Sequence, residues 1–433
     1  MRWSFLPERV DASIRFFLYV LIFWLPYSPA VVESCVIICL VLWIFKRLVI
    51  IRRQKSSPLA RKKKFYEYLR GLIPAPSFIN KPIAFFLTFC LISATSSVFW
   101  EQSLSGFLTK TLEWFIVYFL VVEVFHEERH IYIVLILFLV TSLATALDSI
   151  IQFYVTHKDI FGGQSISLGG RPTAAFKTAN GLGGYLTIAI PLIFAAILLK
   201  RKENQHRVLI SVVFLCALWS LILTFSRGAW LGIFLGGVLM LFIFLFHREK
   251  PKLYLSLGLF LIIVFLYMLL GLILAGSIDS GLLTRIGTIQ WRIDIWRDSV
   301  QMIKDNLLFG HGINTYMKLF ETYRAGTAGS NPTYAHNCYI QLAAETGLVG
   351  LFAFLWIIVE LFRKTIICLD RYWANNYNLT ILSVGLISGI FAFLVHSLFD
   401  THFYSLQLSV YLWFIIGVHV AILGELKCQN AER

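Results

Sequence analysis

The chain has 433 residues, 58% hydrophobic and 14% charged, with a mean hydropathy of +0.75; soluble domains carry nearer a quarter charged residues, so the composition excludes a soluble fold and describes a polytopic membrane protein. The net charge of +14 does not point to nucleic acid, because Lys and Arg gather in loops between apolar runs, where they report orientation and headgroup contact. The seven cysteines show no C-x-x-C and no Cys/His zinc spacing, which argues against a disulfide framework or structural zinc.

Apolar runs of membrane-crossing length predict twelve helical spans, at 14–31, 33–51, 82–100, 111–125, 131–154, 182–199, 208–224, 229–246, 253–275, 348–362, 379–398 and 405–424. The first follows Arg2, Arg9 and Arg15 and shows no small-residue cleavage site, so it is expected to stay as an anchor. With both termini inside, 27 of the 38 Lys and Arg fall on the inner side and 11 on the outer. Most of the inner charge comes from the basic loop 46–81 and from "KRKENQHR" and "HREKPK". The expected organisation is all-α: a bundle of nine spans over 1–275, a large outer loop over 276–347 carrying the candidate catalytic residues, and three spans with an inner tail over 348–433.

The outer segments hold the unusual residues. Segment 155–181 is glycine-rich and carries Arg171 and Lys177. Arg227, in "LTFSRGAWLG" (223–232), separates two spans with almost no loop, and a charge at membrane depth needs a partner or a function; snorkelling to headgroups is the bland alternative. In the large loop, 289–304 has helical spacing, with Ile289, Ile293, Trp296, Val300 and Ile303 forming one apolar face and Arg292 on or beside it, where an unpaired charge is costly. "NLLFGHGINTY" (306–316) reads as a helix stop at Gly310 and a turn. "AHNCYIQLAAETGLVG" then places His336 and Asn337 at a helix start, with Tyr339 one turn on and a stop at Gly347. Asn337 is a natural N-cap that could also orient a hydroxyl. A helix N-terminus disfavours imidazolium, and a neutral imidazole is what a general base needs.

Taken together, two outer arginines suit a diphosphate, which the guanidinium fork recognises with paired hydrogen bonds. A nearby histidine could take a proton from a hydroxyl, and the bilayer could hold a lipid tail. This pattern suggests glycosyl transfer from a lipid diphosphate. "GRPTAAFKTANGLGGYLTIAIPL" (170–192), "LTFSRGAWLG" (223–232), "WRIDIWRDSVQMIKDNLLFGHGINTY" (291–316) and "AHNCYIQLAAETGLVGL" (335–351) resemble, in order, the blocks of the O-antigen ligase family of integral membrane glycosyltransferases. The resemblance implies a GT-C-like helical fold and an inverting, metal-independent transfer needing no cofactor. It implies a glycan moving from undecaprenyl diphosphate to a hydroxyl acceptor, in the ligases a sugar of lipid A–core in lipopolysaccharide biosynthesis. By that resemblance Arg227 and Arg292 hold the diphosphate, His336 is the base, and Arg171, Asn337 and Tyr339 are further substrate-binding candidates. It also implies an inner-membrane, multi-pass protein with cytoplasmic termini and a periplasmic site. Polysaccharide polymerases and protein O-oligosaccharyltransferases share these motifs, so the acceptor stays open.

Two rivals are weaker. His396, Asp400 and His402 could suggest a metal site, but the span ends near Asp400, so His402 need not share a face with the other two. A transporter or flippase for an anionic lipid-linked glycan would place its charges near the midplane in two related halves, whereas these arginines lie at outer ends. No Walker motif and no D-x-D occurs.

Overall fold

The computed structural model describes residues 6–55, 74–167, 170–200, 204–247, 282–324, 334–374 and 376–431, with scattered positions between 254 and 269. Among them the chain is all-helical, with only two isolated β-bridges in the 158–171 loop. Twelve main helices follow in order: α1 (Leu6–Trp24), α2 (Pro29–Lys55), α3 (Asn80–Ser96), α4 (Trp100–Gly106), α5 (Leu112–Val124), α6 (Glu128–Ile151), α7 (Ala179–Leu198), α8 (Asn204–Leu223), α9 (Arg227–Phe246), α10 (Leu282–Asp305), α11 (Tyr316–Tyr323) and α12 (Cys338–Tyr372). Two more close the fold, α13 (Tyr377–His396) and α14 (Leu406–Ala431).

Among the described residues eight helices (α2, α6–α9 and α12–α14) are long and apolar enough to cross a membrane, against the twelve spans expected for the whole chain. The difference has local causes. The expected span 14–31 is α1, which begins eight residues earlier and includes Glu8, Arg9, Asp11 and Arg15, while α3 has only 17 residues. The expected span 111–125 is α5, 13 residues long and joined to α4 through a π-helical turn, Phe107–Thr111. Most of 253–275 lies outside the described residues.

Burial sorts the helices into layers. In α7, α13 and α14, 89%, 89% and 94% of the apolar window is buried, against 22% in α2, so the first three form the centre and α2 the rim. Apolar side chains cannot separate centre from rim when lipid is as apolar as protein, so small residues decide close packing. Gly232 and Gly236 of α9 lie against the backbone of Ala392 and Ser388 in α13, and Gly385 and Gly389 of α13 lie against the α7 backbone around Pro191 and Ile188. A Cβ at any of these would meet a neighbour well inside contact distance. This sandwich brings the N-termini of α7 and α9 and the C-terminus of α13 to one end of the molecule.

The cap formed by α10 and α11 is latched to the same end. Its own small core comprises Ile295, Met302, Tyr316, Phe320, Ala335 and Ala344. Gly347 breaks α12 with φ 72° and ψ 177°, and the turn after α10 runs across that break. There Leu348 N donates to Leu307 O at 2.8 Å, His311 N to Ala344 O at 3.0 Å and Gly312 N to Glu345 O at 2.8 Å. The helix stop expected at Gly310 comes earlier, at Asp305, and Gly310 itself takes a left-handed φ of 66° within the crossing. The apolar face expected on 289–304 is corrected: Ile293 and Val300 are 40% and 42% exposed, while Ile295, Ser299 and Met302 are buried. The cause is tertiary, because Ser299 shares a 2.7 Å hydrogen bond with the Tyr316 hydroxyl and turns that side inward.

Candidate active site

Four chain segments meet at the α7–α9–α13 end. α7 opens on Thr178, whose hydroxyl accepts from Gly181 N at 3.0 Å. This sets Asn180 in its first turn. α9 opens on Arg227 after a turn in which Phe225 is left-handed (φ 48°). α10 supplies Arg292. Residues 397–404, between α13 and α14, supply Phe399, Asp400 and His402.

Between these segments lies a cavity of about 140 Å³ lined by Arg171, Asn180, Phe225, Ser226, Arg227, Gly228, Arg292, His396 and Phe399. The three arginines singled out in sequence thus surround one space, and the N-termini of α7 and α9 open onto it, adding partial positive charge and backbone N–H groups. Arg227 is exposed and has no ion pair among the described residues. Burial pulls the Arg292 guanidinium below its ordinary pKa, Asp400 opposes that pull and Arg227 adds to it; its buried Nε has no hydrogen-bond partner. Arg171 is lowered by burial in the same way, with Asp400 opposing and Arg292 and Arg227 reinforcing. Guanidinium remains charged through such shifts, so three cations share one nearby carboxylate, an arrangement built for an anion.

Arg171 is fixed by hydrogen bonds from Nε to Thr224 O at 2.6 Å and from Nη2 to Asn180 Oδ1 at 2.8 Å. Asn180 Nδ2 donates in turn to Asp400 Oδ2 at 2.5 Å, and Asp400 Oδ1 accepts from Thr401 N at 2.8 Å. The same Oδ1 lies 3.5 Å from His336 Nδ1, an ion-pair distance longer than a full hydrogen bond. Burial pushes the Asp400 carboxyl up, but the nearby imidazoles, His336 first and then His402 and His396, outweigh it and hold the group well below the usual carboxylate range.

His336 has a left-handed φ of 50°, a cost of about 1–3 kcal/mol that surrounding structure must enforce. Four contacts do so. Trp296 Nε1 donates to Ala335 O at 2.9 Å and Ala335 N to Gln341 Oε1 at 3.2 Å. Just beyond, Cys338 N donates to Ser397 O at 2.9 Å and Cys338 Sγ to Asp400 O at 3.1 Å. The Trp291 ring lies 5.3 Å from the imidazole. Nδ1 faces Asp400, and Nε2 has no hydrogen-bond partner among the described residues.

Asn337 caps α12, accepting from Tyr339 N at 2.9 Å and Ile340 N at 3.0 Å. Tyr339 is turned away from the cavity, its hydroxyl donating to Leu394 O at 2.9 Å. Nor do His396 and His402 converge with Asp400 as one ligand set. His402 Nε2 and His396 Nδ1 are hydrogen-bonded at 2.9 Å, and His396 Nε2 meets Ser226 Oγ at 3.1 Å. Burial lowers the His402 pKa, partly offset by Asp400.

Residues 212–355 match the sequence profile of the family described as O-antigen ligase. Over this third of the chain the protein is similar to the O-antigen ligase family. The O-antigen ligase match takes in Arg227, Arg292 and His336 and leaves Arg171, Asn180 and Asp400 outside it. A comparison with curated proteins finds no match. Asp400 and Asn180 were not read as parts of this site from sequence; Asp400 signalled itself only through its His-rich surroundings, and Asn180 only by standing inside a block that resembles the family.

Proposed function

We propose that the protein is an inverting membrane glycosyltransferase that moves a glycan from undecaprenyl diphosphate to a hydroxyl acceptor at the periplasmic face of the inner membrane, acting as an O-antigen ligase on lipid A–core. The single observation that carries this reading is the three-arginine cavity joined, through Asn180 and Asp400, to His336. In this mechanism Arg227 and Arg292, with Arg171 beside them, bind the diphosphate. His336 Nε2 takes the proton of the acceptor hydroxyl as its oxygen attacks the anomeric carbon. The glycosidic bond to the diphosphate breaks on the opposite face, and the arginines stabilise the charge that builds on the departing oxygen. Asp400, on Nδ1, holds the ring and favours the imidazolium that forms, the role a carboxylate plays beside a catalytic histidine. No step calls on a metal. In this reading the 276–347 loop is the periplasmic cap and the basic loops are cytoplasmic, as the retention of positive loops on that side predicts.

The test is glycan transfer by purified wild type and His336→Ala from an undecaprenyl-diphosphate glycan to lipid A–core, with a chelator present. Product from the wild type alone is expected. Polymerised donor would make the protein a polymerase, and flipping of the donor without product would make it a transporter.

A further inference from the structure

Asn180 stands between the cations of the cavity and the base. Its Oδ1 accepts from Arg171 Nη2 and its Nδ2 donates to Asp400 Oδ2. The opposite amide orientation would set Nδ2 against a guanidinium and Oδ1 against a carboxylate, so only this one is satisfied. The amide is held at both ends. Asp400 is the carboxylate through which Arg171 and Arg292 are partly balanced. A diphosphate changes that balance, because its oxygens take over the arginines and bring like charge toward Asp400.

We propose that Asn180 is a positioning residue: it holds Asp400 beside His336 against the charge of the arriving diphosphate, and so couples donor binding at Arg171 to alignment of the base. The inference rests on the glycan-transfer reading above. Asp400 has two oxygens with separate duties. Oδ2 is held by Asn180, and Oδ1 is left for Thr401 N and the imidazole. Without the amide donor, the carboxylate is free to turn when phosphate enters, and the 3.5 Å approach to Nδ1 is lost. Asn180 touches no reacting atom in this scheme, so its removal shows in turnover, not in donor capture.

The experiment measures kcat and donor KM for wild type, Asn180→Ala, Asn180→Asp, Arg171→Ala and the Arg171→Ala/Asn180→Ala double variant, with the same donor and lipid A–core. Misalignment by about 1 Å costs on the order of 100-fold, so Asn180→Ala is expected to lose about 10- to 100-fold in kcat, with donor KM within about threefold of wild type. Asn180→Asp preserves the shape and the acceptor for Arg171 but offers Asp400 no N–H, and it should be as slow at saturating donor. In the double variant kcat should match that of Asn180→Ala alone, because residues on one relay do not add. Inorganic diphosphate binding, followed by calorimetry, should survive Asn180→Ala. Unchanged kcat in both Asn180 variants, or an effect confined to KM, overturns the proposal, as does full activity in Asn180→Asp beside a poorly folded Asn180→Ala. A wild type that makes no product removes the parent reading instead.

Discussion

At the residue scale, one carboxylate, Asp400, stands among three arginines and three histidines. Asp400 is held well below the usual carboxylate range. A depressed folded value means its charge is fully present above the ordinary carboxylate pKa and is lost only in strong acid. Asp400 therefore stays ionised across pH 5 to 8, and pH effects on turnover in that window do not come from it. Asp400→Asn keeps the shape and loses the charge. The expected result is a drop in kcat of about 100-fold or more, in the range set by general-base alignment, that persists across the whole window in a pH–rate profile; recovery at either end would contradict the assigned role. Arg227, Arg292 and His336 stand out in the sequence, because a charge beside an apolar run or a histidine at a helix start is unusual by its neighbours alone, and the first two line the cavity. The sequence did not reveal Asp400 and Asn180, whose roles arise from contacts closed between distant segments. Nor did it show that Tyr339 turns its hydroxyl to Leu394, since helix spacing gives a face but not what the face meets.

At the element scale, the break in α12 joins the cap to the bundle. Gly347 combines φ 72° with ψ 177°, a region open essentially to glycine, and any Cβ there would collide with Leu308 O and Phe309 N. Glu345, one turn after Gln341, is buried beside this break and accepts from the Tyr404 hydroxyl at 3.1 Å and Tyr316 N at 3.3 Å. Gly347→Ala should cost about 1–3 kcal/mol from backbone strain alone and lift the cap, with Arg292, from the cavity. The expected outcome is a lower melting temperature in detergent together with a raised donor KM; a variant with wild-type Tm would show that the crossing does not hold the cap. Trp296 makes a second link. Trp296→Phe keeps the ring but loses the hydrogen bond to Ala335 O, so His336 should be less firmly held. Turnover should fall about tenfold while donor binding is retained, consistent with a single lost orienting contact. That the stop at Gly347 could be read from sequence while the buried side of α10 could not has one physical source. A glycine break is local, but which face of an amphipathic helix turns inward is decided by the helices it meets.

At the scale of the whole molecule, the described basic residues Lys46, Arg47 and Lys200 lie away from the end that holds the cavity. α7 runs from Asn180 at the cavity to Leu198, just before Lys200, and α9 runs from Arg227 at the cavity to Phe246. At the basic end Lys46 and Arg47 are bound by Glu123, at 2.9 Å and 2.5 Å, and Lys46 also reaches Asp11 at 2.6 Å. Positive loops are retained on the cytoplasmic side, so the cavity should open to the periplasm, where both a lipid-linked donor and an outer-leaflet acceptor could reach it. Lys158 and Lys200 test this directly, because both are exposed and they lie at opposite ends. Among the described residues the free cysteines Cys35, Cys39, Cys90, Cys338 and Cys368 are buried and Cys216 is half-buried, so with Cys428 replaced by Ser background labelling should be low. In cells with a permeabilised outer membrane, an impermeant maleimide should label Lys158→Cys and leave Lys200→Cys unlabelled until the inner membrane is broken. The reverse pattern would place the arginine cavity in the cytoplasm, and a periplasmic transfer reaction could not then use it.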